Sequence, residues 1–253
     1  MTTLSLIARV KDAMGANEVL SKLLESSKRR LLTGAAFQAL EKGAVICQQE
    51  TPAVRFWIVM RGEVKLMTYT ETGLALVIDI VLPNQLFGAV FHNHDPVYCY
   101  TAVATKRTEL LSFRLQELID DLEDNPPLQR MLLAETSHKL CQAQHMRGLW
   151  LEEARVRIAH FLLFLYDRFG RVIPQTRATL AELAGTSVET AIRISNVLAR
   201  SGILAMRRGQ IEILSLPRLR ACAQGQQARG SESVFSRPTK RSSKKGQSFA
   251  TAV

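Results

Sequence analysis

Glu189 and Arg193 stand four residues apart in the stretch Ser187-Val-Glu-Thr-Ala-Ile-Arg193. On a helix that spacing places both side chains on one face. A carboxylate there can accept from the N4 amine of cytosine. A guanidinium can donate to O6 and N7 of guanine, and both contacts distinguish base pairs in the major groove. Val188 offers methyl groups to a thymine methyl, and Ile192 completes the exposed set. A solvated intrahelical ion pair would use the same two charged residues, so the flanking sequence has to decide between the readings.

The flanks supply positioning elements. Thr176 is a candidate N-cap for a helix running to Ala184, with Leu180 and Leu183 turned inward. Gly185-Thr186 makes a tight turn. Ser187 caps a second helix to Arg200, whose apolar stripe is Ala191, Ile194, Val197 and Leu198, and Gly202 stops it. Two apolar runs, Ile203 to Met206 and Gln210 to Leu214, flank Arg207-Arg208-Gly209, a hairpin with a basic tip. Helix, glycine turn, helix and basic hairpin together predict a winged helix-turn-helix whose second helix enters the major groove by its N-terminal end. On this reading Val188, Glu189, Ile192 and Arg193 read bases. Thr176, Arg177, Ser187, Thr190, Arg207 and Arg208 hold phosphates, which position the domain without reading sequence.

The rest of the chain must present that unit. With 253 residues, 47% hydrophobic and 22% charged, it can form one large or two modest domains with a buried core, and its formal net charge of +10 favours polyanionic partners. Residues 1–38 predict an extension of one or two short helices. From 39 to 125, short β-rich runs such as Phe56 to Met60, Val64 to Met67, Leu74 to Leu82, Tyr100 to Ala104 and Glu109 to Phe113 alternate with turn residues. This predicts a jelly-roll β-barrel, with Gln85 to Val97 read as a loop and 114–124 as an acidic helix. Asn125-Pro126-Pro127 opens a long helix at 126–150. Leu133, Leu140 and Arg147 recur every seven residues, as do Thr136, Ala143 and Trp150, a partly polar seam that suits a two-helix contact between copies of the chain, against the alternative of a helix packed on its own domain. Residues 152–168 predict an amphipathic helix that starts the DNA-binding unit at 151–220. The segment 221–253 is basic and Gly/Ser/Gln-rich, so it is expected to be disordered and to add sequence-independent phosphate affinity or only solubility. The predicted class is therefore α+β.

At this point the sequence resembles the Crp/Fnr superfamily of bacterial transcription regulators from about Leu40 to Leu214. The resemblance is carried by Gly43, Trp57-Ile58-Val59-Met60-Arg61-Gly62-Glu63-Val64, Leu86-Phe87-Gly88, Tyr100-Thr101-Ala102-Val103-Ala104 and Thr179 to Arg193. It implies a cyclic-nucleotide-binding-type sensor barrel, a dimerisation helix and a C-terminal winged helix, with Glu189 and Arg193 as base readers. It implies a cytoplasmic homodimer on palindromic double-stranded DNA, with RNA polymerase a candidate partner and no membrane. It also places an effector pocket at Phe87, Gly88, Ala89, Tyr98, Cys99 and Tyr100, with Lys139 and Gln142 from the long helix.

The departures from that family are specific. Cyclic-AMP-binding members carry Phe-Gly-Glu-Leu and then Arg-Ser-Ala; here the first reads Phe87-Gly88-Ala89-Val90, and Tyr98-Cys99 stand at the Arg-Ser positions. With no arginine for the cyclic phosphate and no glutamate for the ribose, cyclic AMP is not an expected effector. Residues 1–46 hold no cysteine, against an oxygen-sensing iron–sulfur cluster. Val188, in place of the arginine of cyclic-AMP receptors, resembles oxygen-sensing members and implies a TTGA-like half-site.

The residues name no cofactor and no particular effector. His92, His94, Tyr98 and Cys99, with His138, Cys141 and His145, could ligate haem or a metal, but we read them as a polar loop and a mixed helix face, with no metal site. A cyclic dinucleotide or other anion near Lys106, Arg107 and Lys139, and an empty pocket, both stay open. Cys47, Cys99, Cys141 and Cys222 are dispersed, without a CxxC, as reduced thiols would be; no apolar run approaches a bilayer span, and no secretory signal is expected. Two readings compete. A cupin-like metalloenzyme would need a His/Glu set on adjacent strands, which these runs lack, so no enzyme activity is expected. A signalling module of the same fold that does not act through DNA would have no use for the helix-turn-helix.

Overall fold

A computed structural model describes residues 8, 10–12, 15–69, 71, 73, 75–89 and 96–225. Val90, His92, His94 and the basic segment beyond residue 225 lie outside the described residues, as does Leu74, where the third β-run was expected to begin.

Short helices precede the barrel, and two of them can be given bounds. In α1 (Glu18–Ser21) the Asn17 side chain caps the first turn by accepting from the Leu20 amide, and α2 (Glu25–Gly34) follows. The strands are β1 (Ala36–Leu40), β2 (Val45–Cys47), β3 (Arg55–Arg61), β4 (Val64–Tyr69), β5 (Ala75–Val81), β6 (Leu86–Phe87), β7 (Thr101–Ala104) and β8 (Thr108–Arg114). They form two four-stranded antiparallel sheets, ordered β1-β8-β3-β6 and β2-β7-β4-β5. The run Phe56-Trp57-Ile58-Val59 of β3 is buried at every position because the facing sheet covers one side and helices cover the other. Phe56 stacks on Phe113 of β8 at 5.1 Å between ring centres.

One expectation fails here. The segment Gln85 to Val97 is not loop throughout: Leu86–Phe87 pair with Ile58 and Trp57 as β6, and Val97 bridges Pro52. A two-residue strand carries too little alternation to stand out; burial of Phe87 against Trp57 forms it. Strand β1 also begins at Ala36, earlier than the β-rich region was expected to start.

Helix α3 (Leu115–Glu123) closes the barrel, and α4 (Pro126–Leu149) leads away from it. Asn125 caps α4 by accepting from the Leu128 amide, and prolines fill the first turn, where no amide donor is needed. Only Leu128 and Leu149 of α4 are buried. Helix α5 (Ala154–Phe169) starts two residues later than the expected 152, because Glu153 is extended and the chain before it is still turning out of α4.

The C-terminal unit contains β9 (Val172–Ile173), α6 (Arg177–Ala184), α7 (Val188–Arg200), β10 (Leu204–Arg207), β11 (Gln210–Ile213) and α8 (Leu216–Ala223). Strands β10, β11 and β9 form a small antiparallel sheet. Ile158, Leu162 and Leu165 of α5 meet Leu180, Leu183, Ile194, Leu198 and Ile211 in one core. The architecture is α+β: a β-rich domain, a long helix, and a helix-turn-helix with a β-wing.

Candidate nucleic-acid interface

The helix-turn-helix is set by local bonds. Thr176 Oγ1 accepts from the Thr179 amide at 3.1 Å and caps α6. Ser187 Oγ accepts from the Thr190 amide at 3.1 Å and caps α7. Between them Gly185 is left-handed at φ +54°, and a Cβ there would lie 2.2 Å from the Trp150 ring. Arg157 braces the turn: its guanidinium lies 5.7 Å from the Trp150 ring centre, and its Nε donates to the Ala184 carbonyl at 2.9 Å.

Ala191, Ile194 and Leu198 of α7 face the core. Ser187, Val188, Glu189 and Arg193 are exposed, while Thr190 and Ile192 are half-buried. The four expected base readers therefore share the outer side of the N-terminal half of α7. The β10–β11 turn carries Arg208 and Gly209, the latter at φ +70°, as a hairpin this tight requires. Arg207 pairs with Glu212 at 3.6 Å, so part of its charge is held within the wing. A groove of about 330 Å³ runs between the start of α6, Ile192 and the wing, and Thr176, Arg177, Arg207 and Arg208 line it. Five of the six expected phosphate contacts are thus exposed or line this groove; the sixth, Thr190, is half-buried and its hydroxyl meets that of Ser187 at 3.0 Å.

The expected effector residues separate into two groups. Trp57 stacks on Phe87 at 5.3 Å and lies 5.7 Å from the Tyr98 ring. The Tyr98 hydroxyl donates to the Arg55 carbonyl at 2.8 Å, and the Gly88 amide donates to the Tyr100 hydroxyl at 2.8 Å. Burial pushes both phenols above their ordinary values and the Cys47 thiol up to about 11, so all three are neutral at physiological pH. Ala89 is half-buried beside them and Cys99 is exposed. Lys139 and Gln142 are exposed on α4, and their side chains bond to Glu135 and His138 of the same helix.

Leu133 and Leu140 are 69% and 58% exposed on α4, and Ala143 is exposed with them. Trp150 is the C-cap of α4, and its ring lies against Gly185. Heptad counting groups it with Ala143, and nothing in that spacing marks the contact with Gly185. The support that Arg157 and Trp150 give the Gly185 turn has no local motif and was not foreseen. Among the described residues no group of three or more His, Cys, Asp and Glu could hold a metal ion, and no helix is long and apolar enough to cross a membrane.

Comparison with known proteins adds independent support. Residues 37–125 match the cyclic nucleotide-binding domain and residues 156–222 the Crp-like helix-turn-helix domain, together more than half of the chain. The chain is 29% identical to the cyclic AMP receptor protein of Thermus thermophilus, over 68% of this chain and 81% of that protein. It is 25% identical to the global nitrogen regulator of a Nostoc species, over 76% of this chain and 92% of that protein. To the transcriptional activator protein anr of Pseudomonas aeruginosa it is 26% identical, over 74% and 80%. Among solved structures, FixK2 from Bradyrhizobium japonicum shares the fold with a TM-score of 0.67 at 24% identity, covering 74% of this chain and 96% of that one. The chain belongs to the Crp/Fnr family: it is a DNA-binding transcription regulator, not an enzyme, with a cyclic-nucleotide-binding-type domain ahead of a Crp-type helix-turn-helix.

Proposed function

We propose that the protein acts as a homodimer on a palindromic operator with TTGA-like half-sites, and that a signal at the N-terminal barrel modulates its binding. The observation that carries this is the exposed face of α7, where Val188, Glu189, Ile192 and Arg193 lie together beside a groove lined by Thr176, Arg177, Arg207 and Arg208. Glutamate and arginine at this spacing suit a C·G and a G·C pair, and the caps and wing suit phosphates on either side. Leu133 and Leu140 support the dimer: apolar side chains this exposed on a 24-residue helix gain burial when a second copy covers them.

The signal is not cyclic AMP bound in the usual way. The family resemblance sets Tyr98 where a cassette arginine would neutralise the phosphate, and the Tyr98 hydroxyl is bonded to the Arg55 backbone. Mass measurement of the protein mixed with a duplex carrying two inverted TTGA half-sites one helical turn apart tests the reading. Two chains per duplex are expected, with loss of the complex when both half-sites are scrambled. One chain per duplex, or equal binding to the scrambled DNA, would contradict it.

A further inference from the structure

The barrel and the winged helix of one chain pack directly against each other. Val77 and Ile80 of β5 are 2% and 0% exposed, yet they belong to the apolar cluster of Ile158, Leu180 and Leu183 rather than to the barrel's own. A bulge between Leu66 and Met67 makes this possible. It pairs Lys65 with Ile80 and Met67 with Val77, which turns all four side chains to the face that meets α5 and α6.

Polar bridges ring that apolar seam. Gln175 Nε2 donates to Glu63 Oε2 at 2.9 Å. Lys65 pairs with Glu182 of α6. Arg168 of α5 pairs with Asp79 at 2.8 Å, donates to the Ile80 carbonyl and lies over the Phe164 ring. Glu63 and Gln175 are 3% and 5% exposed. A carboxylate so buried needs partners to offset its lost hydration. It receives the Thr105 hydroxyl at 2.7 Å and the Lys106 ammonium at 3.6 Å from the barrel, and Gln175 from the other domain. Gln175 directly precedes Thr176, the cap of α6 and a phosphate candidate. The docking covers the back of α6 and leaves Ser187, Val188, Glu189, Arg193 and Arg208 exposed.

We propose that Glu63 and Lys65 of the barrel are positioning residues for DNA recognition: without touching DNA, they hold the winged helix of their own chain in an orientation that leaves α7 open to a groove. This rests on the dimer-on-DNA reading above. Two winged helices must meet two half-sites at a fixed separation, and a domain oriented in advance loses less freedom on binding.

A charge swap tests the proposal in the full chain. Lys65→Glu and Glu182→Lys each place like charges across the seam, and the double variant restores an opposite pair. Each single variant should bind the two-fold site about tenfold more weakly, and the double variant should recover most of the loss. Unchanged affinity in the singles, or a double variant no better than they are, would overturn the role. Calorimetry reads the docking without DNA. The wild type should unfold in one transition, each single variant in two, and the double variant in one. Two independent transitions in the wild type would overturn the docking itself. A wild type that unfolds in one transition but binds no specific DNA would sink the DNA reading alone.

Discussion

Arg193 and Gly185 show how differently single residues enter the account. Arg193 is exposed on α7 and contributes nothing to the buried core of the domain. Arg193→Ala should leave the fold intact and cost about 1–3 kcal/mol on the specific site, with relaxed preference at one base pair per half-site. Fluorescence anisotropy on the specific duplex and its single-base variants checks both effects. A uniform loss across all sequences would make Arg193 a phosphate contact. Gly185 acts through the backbone. Its left-handed φ of +54° and the Trp150 ring 2.2 Å from a hypothetical Cβ mean that Gly185→Ala must shift both the turn and the ring. A loss of about 1–3 kcal/mol in stability is expected, read from denaturant unfolding. Weaker DNA binding should accompany it, because this turn sets the angle between α6 and α7.

At the scale of elements, the helix-turn-helix was the most legible part of the chain. Its signals are local: the caps Thr176 and Ser187 lie three residues before the amides they bind, and Gly185 is where the chain must turn left-handed. The barrel was legible as a class but not strand by strand. Leu86–Phe87 is too short to alternate, and its pairing with Trp57 and Ile58 is a tertiary fact. Helix α4 was legible as a helix, with its candidate seam, but the contact that Trp150 at its end makes with Gly185 was not. If Leu133 and Leu140 form that seam, Leu140→Glu should shift the protein to monomer in sedimentation while leaving helix content unchanged. A persistent dimer would move the interface elsewhere. The junction of α4, α5 and α8 carries a pH prediction. Burial first, then the neighbouring His145 with its ring centre 5.9 Å away, lowers the pKa of His160 in the folded state; a bond to the Ala223 backbone and the Glu152 charge oppose this. The unfolded chain then binds the extra proton more readily. Stability attributable to His160 is present above its unfolded value near 6.5 and is lost as pH falls from there toward the folded value. Melting temperature followed across this window should drop on acidification, and His160→Gln should flatten the drop.

The whole molecule holds what the sequence could not display. Glu63 and Gln175 are 112 positions apart, and nothing in the pattern Met60-Arg61-Gly62-Glu63-Val64 marks its glutamate as a partner for another domain. Val77 and Ile80 lie in the β-rich run Leu74 to Leu82, and nothing in that run marks them as residues that bury against the winged helix. Composition did carry information at this scale: a net charge of +10 anticipates a polyanionic partner, and the comparisons identify a family that regulates transcription. The central claim is that two copies of this chain read a two-fold operator through α7. In vitro selection from random double-stranded DNA with the purified full chain tests it most directly. The account predicts an enriched inverted repeat of TTGA-like half-sites with centres about one helical turn apart, carrying a G·C pair where Arg193 reads. An enriched motif without two-fold symmetry, or one lacking that G·C pair, would contradict it.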